Sequence, residues 1–119
     1  MNSPIERTHP EMASSSRLAF EMIRELAHED ARRRESAADK VTDLSFVASP
    51  EVARLLAGVL ALAAAQERDS EALEAQLNAL LQLSEFLDPD MATHLGSIDL
   101  EAHPTALRAY VHDLLEGLE

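Results

Sequence analysis

Cysteine and tryptophan are missing from this chain of 119 residues, glycine appears three times, and aromatic side chains make up only 3% of it. Each shortage excludes something. Without cysteine there are no disulfides and no thiolate metal sites, and a reducing compartment fits. The scarcity of aromatic and β-branched residues argues against sheets, whose half-buried faces favour those side chains. No apolar stretch approaches the about 20 residues needed to cross a bilayer. The longest runs from Leu55 to Ala65, around Gly58. Residues 1–10 lack the apolar core of a secretory signal. The expectation is a soluble, cytoplasmic protein.

What remains is rich in Ala, Leu, Glu, Gln and Arg, all good helix formers. The fold class expected is therefore all-α. The length suits one domain with a modest core, and residues 11–119 read as that domain behind a flexible N-terminus at 1–10.

Apolar periodicity divides the domain into about four helices, near 11–38, 50–66, 70–87 and 103–118. Thr8-His9-Pro10-Glu11 fits a capping box ahead of the first. Leu18, Met22 and Leu26 then share a stripe with Ala19, Ile23 and Ala27. Arg32, Arg33 and Arg34 are placed where a helix C-terminus favours positive charge, and 41–49 reads as a connection. Ser49-Pro50-Glu51 is a clean second start, with serine as N-cap and proline at the first helical position. Asp69 or Ser70 caps the third helix so soon after the second that the two must form an antiparallel hairpin. Asp88-Pro89-Asp90 ends it, and 91–102 reads as a loop or a short helical turn. Leu107, Tyr110, Val111, Leu114, Leu115 and Leu118 follow helical spacing without a miss. Leu56, Val59, Leu77, Leu80, Tyr110, Val111 and Leu114 are expected to be the most buried.

The third helix carries a recognisable pattern. Asp69-Ser70-Glu71-Ala72-Leu73-Glu74-Ala75-Gln76-Leu77-Asn78-Ala79-Leu80 resembles the second helix of a HEAT-type repeat, and 52–65 stands where the first should be. The family usually places Arg where this chain has Leu73, and no second copy is visible in the sequence. A small acidic protein on such a hairpin is similar to some bacterial immunity proteins. That resemblance implies a cytoplasmic antidote that neutralises a basic toxin.

Charge points the same way. Fourteen acids face three arginines over 41–119, a balance of −11; eight acids face seven bases over 1–40, a balance of −1, and the sum is the chain's −12. Such a surface repels nucleic acid and anionic membrane and draws a basic protein by electrostatic steering. The candidate partner-binding acids fall in two groups. Glu67, Asp69, Glu71 and Glu74 surround the hairpin turn, and Asp88, Asp90, Asp99 and Glu101 crowd the segment before the last helix. Their competing role is structural, since acids also stabilise helix N-termini.

Catalytic and metal signals are thin. Glu25-x-x-His28 has the spacing of one half of a carboxylate-bridged di-metal site, but no second pair accompanies it. It fits a solvated flank better. His94, His103 and His112 are nine residues apart, not at metal-ligand spacing; His103 reads as a cap or loop residue. Ser14, Ser15 and Ser16 have no base within sequence reach. Arg32–Arg34 is flanked by Asp30 and Glu35, which speaks against phosphate binding. The chain is expected to have no catalysis and no cofactor. The alternatives kept for its function are an adaptor or secretion chaperone gripping a client through apolar helix faces, and a di-metal helical protein.

Overall fold

The computed structural model describes residues 10–118, so residues 1–9 of the segment read as flexible, with the capping residue Thr8, lie outside the described residues, as do the side chains of Ser14 and Ser15; Pro10, the last of that segment, opens a helix. Every regular element among them is helical. Six α-helices replace the expected four: α1 Pro10–Leu26, α2 Ala31–Leu44, α3 Pro50–Gln66, α4 Ser70–Gln82, α5 Pro89–Gly96 and α6 Ala106–Glu116. Short 3₁₀ turns at Ser84–Phe86 and Leu100–Ala102 flank α5.

The expected first helix is in fact two. The chain breaks at 27–30, where Asp30 takes an extended conformation and caps α2 by accepting the Arg32 backbone N–H at 2.9 Å. Arg32–Arg34 therefore opens a helix, and does not end one. The segment 41–49 is also partly helical, since α2 continues to Leu44. Further on, Asp88-Pro89 both stops one helix and starts the next. The Asp88 carboxylate accepts the Met91 N–H at 2.9 Å, and Pro89 occupies the first turn of α5, where a missing donor costs nothing. α3 and the start of α4 fall where the sequence puts them, capped by Ser49 and Asp69.

The helices pack as three successive pairs. α1 lies on α2, α3 on α4 and α5 on α6; α1, α3 and α5 form one row, and α2, α4 and α6 the other. The α2–α4 contact is the most extensive of all. Small side chains make this possible. Ala53, Ala57, Ala61 and Ala64 on α3 and Ala72, Ala75 and Ala79 on α4 are buried, letting backbones approach while leucines fill the space between. One continuous core results, with contributions from all six helices. Leu56, Leu77 and Leu80 are fully enclosed, and Val111 and Leu114 nearly so. Val59 and Tyr110 are only partly buried, because the inward stripe of α6 runs Leu107, Val111, Leu114 and leaves Tyr110 on its flank. No described helix is long and apolar enough to cross a membrane.

Candidate functional site

Three consecutive arginines at the start of α2 organise the acidic end of the molecule. In the first turn of a helix their side chains fan out in different directions, and each finds its own carboxylate. Arg34 binds Glu67 with two parallel hydrogen bonds, Nε to Oε1 and Nη2 to Oε2, both 2.8 Å. Its Nη1 donates to the carbonyls of His28 and Glu29 at 2.8 and 2.9 Å. It thus satisfies carbonyls at the α1–α2 break and the turn between α3 and α4 at once. Arg32 reaches Asp69 at 2.8 Å and Glu35 at 2.7 Å, and also pairs with Glu71. Arg33 turns back to α1, where it pairs with Glu25 and lies 2.9 Å from His28 Nε2. The Glu25–His28 flank thus holds a guanidinium, and the sequence alternative of a di-metal site finds a cation already seated there.

Glu67 is the centre of this arrangement. Besides Arg34, its carboxylate accepts the backbone N–H groups of Arg68 and Asp69, both at 3.1 Å, and the Gln76 amide at 2.8 Å. Burial pushes its pKa up, but the hydrogen bonds from Arg34, Asp69 and Gln76 together outweigh that and hold the carboxyl below the ordinary range. At 7% exposure Glu67 is not available to a partner, which corrects its place among the surface acids. The same cluster leaves Gln76 Oε1 as a buried acceptor with no partner.

The remaining acids divide by what already holds them. Asp69 caps α4 through the Ala72 N–H at 2.9 Å and pairs with Arg32. Glu71 shares Arg32. Glu74 is exposed and takes part in no ion pair among the described residues. With Glu35 and Asp39 of α2 and with Asn78, Glu71 and Glu74 line an open cleft of about 220 Å³ between α2 and α4. Glu35 and Asp39 did not figure among the sequence candidates. Their i, i+4 spacing is a usable signal, obscured in the sequence because the stretch reads as the tail of a single long helix.

The second sequence group separates. Asp88 and Asp90 sit at the N-terminus of α5, beyond the far end of α4 from Asp69. Asp99 and Glu101 belong to the α5–α6 connection, and this connection returns to the start of α4, because His103 Nδ1 lies 2.8 Å from Ser70 Oγ. His103, read as a cap or loop residue, does end the Leu100–Ala102 turn ahead of α6, and its side chain is buried there against Ser70. Asp99 and Glu101 are therefore tied to the Asp69 end, and Asp88 with Asp90 to the other. His94 is exposed on α5, and His112 lies exposed on α6, 3.5 Å from Glu116. His112, Asp113 and Glu116 form a group whose potential ligand atoms come within 4.8 Å of one another, all on open surface.

No protein-family model, curated protein or solved structure matches the chain.

Proposed function

We propose that the chain is a non-catalytic interaction protein that masks a basic protein partner, in the manner of an immunity protein neutralising a toxin. The observation that carries this reading is the cleft where Glu35, Asp39, Glu71 and Glu74 converge, with Arg32 the one cation paired to its rim among the described residues. Carboxylates so placed stand in for the phosphates that a cationic, nucleic-acid-cleaving toxin would grip. The paired, two-row stacking of helices supports the HEAT-type likeness of the 69–80 segment. Glu74, Asp39, Asp90, Asp99 and Glu101 are the acids that such a partner would meet. Asp69 and Asp88 serve chiefly as caps.

A second reading, an adaptor or secretion chaperone, is favoured by Leu55 and Leu62, which leave one side of α3 apolar and open at 46% and 47% exposure. Salt separates the two. Capture from host lysate at about 50 mM and about 500 mM salt brackets the range over which exposed charges become screened. An ionic complex is lost at the higher salt; an apolar grip survives. The test substitutes Asp39, Glu74, Asp90 and Glu101 together by lysine, none of which caps a helix through its side chain. Loss of a salt-sensitive basic partner supports the masking role, and undiminished capture overturns it.

A further inference from the structure

The two ends of the helix stack are finished differently. The α5–α6 end turns Thr93, His94, Arg108, His112, Asp113 and Glu116 to solvent, and no large apolar side chain of that pair is exposed among the described residues. A polar outer face is how a stack of helix pairs is closed. Among the described residues the α1–α2 end has no such closure. Of six large apolar side chains exposed among the described residues, four belong to this pair or to the turn that ends it: Leu18 at 46%, Phe20 at 61%, Phe46 at 76% and Val47 at 70%. Between α1 and α2 an open groove of about 280 Å³ is lined by Leu18, Met22 and Leu44, with Lys40 and Asp43 beside them. A helix pair that exposes aromatic and aliphatic side chains and also carries an apolar groove has the composition of a protein interface rather than of free surface.

We propose that this end is a self-association surface, on which a second copy of the chain docks head to head about a two-fold axis. Charge selects the occupant. Residues 50–119, the acidic portion, hold thirteen acids against three arginines, and a second copy approaching along them meets like charge; residues 10–49, which form the α1–α2 end, hold eight acids against six bases, so two copies meet there with far less repulsion. A strongly basic partner is drawn the opposite way, towards the acidic portion. Lys40, the chain's single lysine, and Asp43 line the same groove. A two-fold axis sets Lys40 of each copy against Asp43 of the other, the reciprocal pairing that an isologous interface requires. Head-to-tail stacking would press the apolar end onto the polar α5–α6 end and leave one apolar end bare in every assembly. The closed dimer buries both. This surface lies apart from the α2–α4 cleft, so dimer formation and partner capture are measured independently.

The experiment is sedimentation equilibrium on the full chain alone, from about 1 to 500 µM, a range that spans ordinary dimer affinities. Twice the 13.0 kDa chain mass is expected at the upper concentrations. The double variant L18E/F46E alters two exposed side chains, so its helical circular dichroism and urea midpoint should match the parent. Its dimer dissociation constant should rise by at least about 100-fold, as loss of central apolar anchors does. K40D and D43K should each weaken the dimer about 10-fold or more, and the combined K40D/D43K should recover to within about 3-fold of the parent. A parent that stays monomeric throughout overturns the proposal, as does a dimer indifferent to L18E/F46E. Mass that grows without limit with concentration also overturns it, since that is head-to-tail growth. If the combined swap fails to recover, the two-fold pairing of Lys40 with Asp43 is wrong.

Discussion

Arg34 on α2 and Glu67 in the α3–α4 turn, separated by 33 residues, share two parallel hydrogen bonds of 2.8 Å, with the carboxylate side chain only 2% exposed. Joining the first helix pair to the second in this way makes the pair a structural hinge-pin rather than a binding element. Arg34→Ala strands a buried charge and leaves the His28 and Glu29 carbonyls without their donor. A loss of about 3 kcal/mol is expected, read as a lower urea midpoint with unchanged slope. Arg34→Lys should recover little of it, because an ammonium lacks the planar fork that spans both carboxylate oxygens.

The same carboxylate sets the acid limit of the fold. The Glu67 pKa is held below its ordinary 4.5, so in the unfolded chain Glu67 binds a proton at a pH where the folded protein does not. Its contribution to stability is therefore full above pH 4.5 and is lost as pH falls through the lower folded value. Glu25 is shifted the same way by its hydrogen bond from Arg33. That pair is exposed, so its share fades with added salt. Urea midpoints should be level near neutrality and fall steeply on the acid side. Glu67→Gln should lower the plateau and flatten the acid slope. An unchanged slope in that variant would falsify the assignment.

Local signals in the sequence were reliable where structure is set locally. Ser49-Pro50 and Asp69 each carry a cap and a first turn within four residues, and α3 and α4 start there. The apolar stripe of α6 was also legible. The break at 27–30 was not, because the stripe of Leu18, Met22 and Leu26 runs up to it without proline or glycine. What holds the break is partly local, the Asp30 cap on α2, and partly distant: Glu67 and Asp69, more than thirty residues on, draw Arg34 and Arg32 away from α1. For the same reason the acids looked freer in the sequence than they are. Spacing shows which acids cluster, but not which cations arrive from elsewhere to neutralise them. α5 is a different kind of case, since Asp88-Pro89 has the same grammar as Ser49-Pro50 but follows a helix directly, where a proline also reads as a stop.

Asp88 should therefore behave as a cap before it behaves as a partner contact. Asp88→Ala removes the acceptor for the Met91 N–H and is expected to cost about 1 kcal/mol, while Asp88→Asn, which keeps a side-chain oxygen, should cost clearly less. Thermal denaturation of the two variants distinguishes the roles. Equal destabilisation by alanine and asparagine would mean that the charge, through the N-terminus of α5, matters more than the hydrogen bond.

Gly58 is the one glycine in the interior of a long helix here, and nothing in its backbone conformation requires it. Its φ is not positive, and a Cβ added there would meet only Met91 Cε, at the ordinary van der Waals distance of 3.6 Å. The α3–α5 contact at this point thus has room for a methyl group. Glycine in a helix interior is less favourable than alanine by about 0.8–1.0 kcal/mol, because more backbone freedom is lost on folding. Gly58→Ala should stabilise the protein by most of that amount, with a small further gain from contact with a flexible methionine. Denaturation in urea measures it as a higher midpoint at constant slope. A destabilised variant would mean that α3 and α5 approach more closely than the 3.6 Å contact describes.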